Sequence, residues 1–154
     1  EDWSEKGDIS ELKHIFSDWH PEIQDILENT KPGSLYKWGL HDRAPMNKWS
    51  KGRFSLLGDA AHPMLPFVAQ GAAMAIEDGI VLASSLSSFE NVAIGLDDYE
   101  NKRKYRTAKA QKTATRNATI FHLSDFFAIF RNLVMKFFIK KIMDSFYKYD
   151  AISK

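Results

Sequence analysis

Three features predict a helix-rich α/β chain with a few strands and long C-terminal helices. The first is an amphipathic opening, the second a strand, glycine turn and helix start between Leu56 and Ala83, and the third helical patterning from Asn91 to Tyr149. Asp8 precedes Ile9, with Glu11 three residues on, and Ile9, Leu12, Ile15, Phe16 and Trp19 recur at helical spacing. A capped helix over about 9–19 is expected. Pro21 suits the first turn of a second helix carrying Ile23, Ile26 and Leu27, which Lys31-Pro32-Gly33 ends. Tyr36, Trp38 and Leu40 alternate with Lys37, Gly39 and His41, the pattern of a strand over 35–42 with one covered face.

Phe54 to Leu57 supplies the next strand. Gly58 then permits a turn that a residue with a Cβ resists, and Asp59 offers acceptor oxygens at the strand's carboxyl edge, where sugar hydroxyls are natural partners. Pro63 and Pro66 hold the chain extended, and Gly71 opens a helix whose unpaired amides and dipole favour negative charge. From Gly71 to Leu86 the pattern is apolar nearly all round, which predicts a central, buried helix. Glu77 and Asp78 then need partners, since buried carboxylates are costly unpaired, and Arg43, Arg103 and Arg106 are the candidates.

Asn91 is placed to cap a long helix reaching about residue 122, and Ser124 to Tyr149 reads as one or two more. Asn132, Lys136, Lys140, Asp144 and Lys148 step by four into a polar stripe, and Phe126, Phe127, Phe130, Val134, Phe137, Phe138 and Ile142 cover the rest. Such a face is expected to pack on its own protein or on a twin subunit, a possible homodimer, in preference to lying on a membrane surface.

The 154 residues, 44% hydrophobic and 27% charged, suit one globular core or part of one. With no cysteine, disulfides, thiolate metal sites and thiol catalysis are excluded, and a reducing, cytoplasmic setting is expected. No basic-then-apolar leader and no uninterrupted apolar span are present. Residues 1–100 hold 8 Lys and Arg against 17 Asp and Glu, and residues 101–154 hold 13 against 3. The basic stretch from Lys102 to Arg116 is interleaved with Ala and Thr rather than stacking aromatics, which argues against nucleic acid. His14, His20, His41 and His122 show no metal-ligand spacing, so no metal is expected. His62 is of the residue type most often used as a general base, but it reads as scaffold among apolar neighbours. No nucleophile elbow or phosphate-binding G-K-[ST] loop occurs.

At LLGDAAHPMLPFVAQGAAMAIEDGIVLA the chain resembles the flavin-dependent aromatic-ring monooxygenases, in particular the salicylate hydroxylase and 6-hydroxynicotinate hydroxylase-like branch. LYKWGLHDRAPMNKWSKGRFSLLGDAAH is similar to the approach to that family's second FAD fingerprint. Tyr99, Arg103, Arg106 and Gln111 resemble its following helix, and DSFYKYDA, Asp144 to Ala151, its C-terminal segment. The fold implied is the C-terminal part of a Rossmann-like, FAD-binding flavoprotein hydroxylase. Residues 1–50 would end the substrate-side region with two helices and a strand, 51–90 would form the fingerprint's strand, turn and helix, and 91–154 the C-terminal helices. The dinucleotide motif G-x-G-x-x-G is absent, so an N-terminal half of the enzyme is expected elsewhere.

The resemblance implies FAD as cofactor, NAD(P)H as electron donor, and O₂ as the source of an oxygen added to a hydroxybenzoate- or hydroxypyridine-like ring. Gly58 and Asp59 would form the turn that binds the ribityl or ribose hydroxyls. Ala69, Gln70, Gly71 and Ala72 would bring amides to the flavin's pyrimidine edge, and Pro66 and Phe67 would wall the substrate side. Many relatives carry Gly where Ala69 stands and Asn where Ala73 stands, and some carry a histidine after the proline. Phe67 cannot exchange a proton, so the catalytic acid or base is unknown and expected upstream. Arg43, Pro45 and Trp49 match a family pattern, and a turn with a surface ion pair is the plain reading of it. The alternative is a truncated, non-catalytic remnant or a helical interaction subunit that does not bind flavin alone.

Overall fold

The computed structural model describes residues 4–152, with the side chains of Asp125, Lys141 and Ile142 outside that description, so the expectation for Ile142 lies outside the described residues. The chain divides into two compact units, Glu1–Leu40 and His41–Lys154.

In the first unit Asp8 caps α1 (Ile9–Ile15), its carboxylate accepting from the Ser10 amide at 2.8 Å. The helix stops four residues earlier than its apolar spacing predicts. The Ser17 amide donates to the His14 carbonyl and the Trp19 amide to that of Phe16, folding Trp19 edge-on against Phe16 with ring centroids 4.8 Å apart. α2 (Pro21–Glu28) begins at the expected proline. The strand expected over 35–42 does not form. Tyr36 makes one antiparallel bridge to Lys6, flanked by bonds from Gly7 N to Leu35 O and from Lys37 N to Glu5 O. Trp38 and Leu40 remain 66% and 61% exposed, so the alternation covers no face. A strand needs a neighbour along its length, and within this unit the described residues supply one only beside Tyr36.

The second unit opens with a hairpin of β1 (Ser50–Lys51) and β2 (Phe54–Ser55), in the register Ser50 to Ser55 and Lys51 to Phe54. β2 is shorter than the apolar run suggested, because Leu57 already leads into a 3-10 turn at Gly58–Ala60. A second 3-10 turn at Pro66–Val68 precedes α3 (Gly71–Ser88). α4 (Val92–Phe121) returns along α3, with Asn91 capping it through a 2.9 Å bond from the Ala93 amide. The two helices close where Gly95 crosses: a Cβ there would lie 3.2 Å from the Ser85 carbonyl oxygen and 3.3 Å from the Leu86 Cα. Ser124 to Tyr149 holds one helix, α5 (Asp125–Tyr147), rather than two.

Burial departs from expectation in two places. α3 buries one row, Met74, Asp78, Val81 and Ser85, and leaves Ile76 and Ile80 exposed, so it is not central. Its partners are α4 and the Gly58–Ala60 turn, which cover one side only. On α5, Phe126, Phe127, Phe130, Phe137 and Phe138 are all exposed, and among its described side chains Phe146 joins a core cluster, with Met74 and Ala110. The other cluster gathers Trp49, Ala61, Val81 and Tyr99 beneath the Gly58 turn. Among the described residues no helix is long and apolar enough to cross a membrane.

Candidate functional site

Gly58 makes the turn the sequence asked of it. Its φ is +59°, and an added Cβ would stand 3.2 Å from the Ala75 Cβ, so both conformation and space call for glycine. The turn is then held from below. The Gly58 amide donates to Asp78 Oδ2 at 3.1 Å, and the same oxygen accepts from His62 Nε2 at 2.6 Å. Asp78 Oδ1 receives Arg103 Nε at 2.7 Å, while Arg103 Nη1 reaches Glu77 Oε2 at 2.8 Å and Nη2 donates to the Met74 carbonyl. Arg106 completes a fork on Glu77 with two bonds of 2.6 Å.

Asp78, His62 and Arg103 are all essentially inaccessible to water. Burial pushes the Asp78 carboxyl upward. The His62, Arg103 and Gly58 donors outweigh that and hold it below the usual carboxylate range. Burial likewise works against the Arg103 charge, and Asp78 and Glu77 more than restore it. His62 is therefore committed to Asp78 as scaffold. The carboxylates find Arg103 and Arg106, not Arg43, whose guanidinium instead donates to the carbonyls of Ala60 and Ala61 at 2.8 and 3.1 Å. The expected surface ion pair at Arg43 is replaced by this clamp. Gln111 ties the same region, donating to Arg43 O and Pro63 O at 3.0 Å each. Buried Glu100 accepts the Trp49 and Ser50 amides at 2.9 Å and so anchors β1 to α4.

Above this floor lies a cavity of about 530 Å³, lined by Asp59, Met64 to Pro66, Ala69 to Ala72, and Ala75. Asp59, Pro66, Ala69, Gln70, Gly71 and Ala72 thus line one cavity. Gly58 shapes the turn without lining the cavity, and Phe67 lines a neighbouring groove instead. The Asp59 carboxylate is exposed and meets no donor among the described residues. At the helix end the first intrahelical bond is Met74 N to Gln70 O, and Gln70 caps with no side-chain bond. The amides of Gly71, Ala72 and Ala73 are therefore left to a ligand or water. Space is open there, since a Cβ on Gly71 would meet nothing nearer than Asp59 Oδ1 at 3.9 Å. Ala69 has φ +51°, a left-handed conformation that glycine adopts more readily than alanine.

An acceptor carboxylate, a positive helix end and small residues between them form a cradle that a sugar-linked, anionic planar group fits. Sequence reasoning missed the His62 bond to Asp78 and the Arg43 clamp. The pairing of a histidine and an aspartate on consecutive elements was visible in GDAAH and ED, but its geometry was not.

The sequence profile of the family described as "FAD binding domain" matches residues 1–114. The 6-hydroxynicotinate 3-monooxygenase of Pseudomonas fluorescens is 44% identical over 109 residues, covering 70% of this chain and 28% of the relative. The 3-hydroxybenzoate 6-hydroxylase of Klebsiella oxytoca is 33% identical over 150 residues, covering 96% of this chain and 36% of the relative. Among solved structures, Klebsiella pneumoniae HpxO complexed with FAD and uric acid superposes with a TM-score of 0.78 at 26% identity, over 90% of this chain and 37% of the other. A salicylate hydroxylase substrate complex gives 0.73 at 25% identity, over 98% and 37%. The chain spans less than two fifths of each of these proteins.

Proposed function

The chain belongs to the FAD binding domain family of flavin monooxygenases, and from that premise we propose that it is part of an FAD-dependent, NAD(P)H-using enzyme that hydroxylates an aromatic hydroxybenzoate- or hydroxypyridine-like substrate. The observation that carries the reading is the cavity shared by the free Asp59 carboxylate and the unsatisfied amides at the start of α3.

Each residue has a definable share. Asp59 would accept hydrogen bonds from the ribityl or ribose hydroxyls. The amides of Gly71 and Ala72 would face the flavin's pyrimidine edge, where the helix dipole favours negative charge and hence the reduced form. Ala69, Gln70 and Gly71 would supply backbone rather than side-chain contacts. Pro66 would wall the reacting edge and keep water from it. FAD, when bound, supplies the transfer of electrons from NAD(P)H and the activation of O₂. No group able to exchange a proton lines the cavity except Asp59, so the residue that ionises the ring would come from outside this cavity.

The test is turnover by the complete flavoprotein with NADH or NADPH, O₂ and a panel of hydroxybenzoates and hydroxypyridine carboxylates. The expected result is reductant oxidation matched by a product heavier by one oxygen. Reductant oxidation that yields only reduced oxygen species with every ring acid would refute the hydroxylase assignment.

A further inference from the structure

We propose that the groove between α4 and α5 is a second binding site, which takes an apolar tail carried by the aromatic substrate. The inference rests on the monooxygenase reading above and deepens it by giving the substrate a shape. The groove has a volume of about 710 Å³, the scale of a small-molecule site. Three elements enclose it: the Pro66–Ala69 turn, the α4 face bearing Asn117 and Ile120, and the α5 face bearing Phe130 and Val134.

Continuity decides what occupies it. Pro66 and Ala69 line both the groove and the cavity assigned to the flavin, so a ligand extending past Pro66 passes from one into the other. The shared wall is fixed. Asn117 donates to the Phe67 carbonyl at 3.0 Å, and the Phe67 ring packs edge-on against Phe121 and His122, at centroid distances of 6.1 and 5.6 Å. Polarity decides what kind of tail fits. Arg131 also lines the groove, but its Nη1 is occupied by the carbonyls of Ile120, Phe121 and Leu123 at the helix turn, so that its charge is already matched to the α4 C-terminus. Thr113, Arg116 and Asn117 add polar groups on the α4 side, and the rest is aliphatic and aromatic surface with two methionines, Met135 and Met143, whose flexible side chains adapt to a chain of variable path. A bare hydroxybenzoate ring leaves that surface uncovered, whereas an alkyl or isoprenoid substituent covers it.

The experiment is calorimetric titration of the complete flavoprotein with hydroxybenzoates carrying n-alkyl chains from methyl to octyl, on the wild type and on Val134→Trp, which fills the groove. Affinity is expected to climb about fourfold per methylene until the groove is full, and the climb should vanish in Val134→Trp while the methyl homologue binds as before. Ile139→Trp, five residues further on and also in the groove, repeats the test if the first variant loses its helical circular dichroism. Equal affinity along the series, or a climb that survives both fillings, would overturn the tail site. Turnover of the methyl homologue is read on the same samples. Hydroxylation with a flat affinity series overturns the groove alone, and tail-dependent binding without hydroxylation supports the groove while removing the monooxygenase reading.

Discussion

The α3–α4 interface and α5 part company over burial: the first buries charged groups that the sequence marked as needing partners, and the second leaves exposed the phenylalanines that the sequence marked for packing. Between α3 and α4 lie Asp78, Arg103 and Ser85, buried and polar, in a network where each charge has a partner. Along α5 the phenylalanines are exposed, Phe126 at 74% and Phe137 at 71%. Burial in this chain therefore follows the needs of the Gly58 turn more closely than it follows hydropathy. A backbone held in a left-handed turn needs fixed donors and acceptors, and charge-assisted hydrogen bonds fix position more narrowly than apolar contact does.

The largest expected effect comes from breaking that network. Arg103→Leu strips the guanidinium from buried Asp78, while Glu77 keeps Arg106, and should cost about 3–5 kcal/mol in urea unfolding. Phe137→Ser, on the exposed side of α5, is the contrasting change and should fall within about 0.5 kcal/mol of wild type. Similar losses from the two would erase the distinction between the regions.

Acid should probe the same network through one proton. Asp78 is held below its usual range when folded, so its contribution is fully present above the unfolded pKa of about 3.9 and is lost as pH falls from there through the lower folded value. Stability measured between about pH 5 and pH 2 should thus fall more steeply in wild type than in Asp78→Asn, by at most about 1.4 kcal/mol per pH unit for a single proton. Parallel curves would assign the acid sensitivity to other groups, Glu100 and Asp98 being the next candidates because both are also lowered.

Smaller still are the backbone effects at the cradle. Gly58→Ala forces a Cβ into a left-handed turn 3.2 Å from Ala75 and should destabilise by about 1–2 kcal/mol. Ala69→Gly relieves the opposite mismatch, at φ +51°, and should stabilise by about 0.5–1 kcal/mol once glycine's greater unfolded freedom is subtracted. Thermal melts of both variants check the pair, and the same sign for both would contradict the geometry.

The contrast also explains which features were legible in the sequence. Asp8 and Asn91 were readable as caps because a cap is a local bond to an amide two residues on. Gly58 and Gly71 were readable because positive φ and a helix start leave a mark at a single position. That Glu77 and Asp78 meet Arg103 and Arg106 followed from the cost of burying charge, though the choice against Arg43 did not, since it depends on where the loop after Leu40 runs. The strand over 35–42 failed because alternation records a side-chain pattern and not the existence of a neighbour. For α5 the pattern recorded an apolar helix, and apolar character alone does not state what covers it.

The most direct test is the flavin affinity of the complete protein with Asp59 changed to Ala, titrated by flavin fluorescence beside a thermal melt. If the cradle of Asp59 and the α3 amides holds FAD, dissociation should rise by about 10–100-fold, the loss of one or two charge-assisted hydrogen bonds, with the melting temperature of the flavin-free protein unchanged because the Asp59 carboxylate is exposed and bonds to none of the described residues. Undiminished FAD affinity in Asp59→Ala would contradict the assignment of this cavity to the flavin.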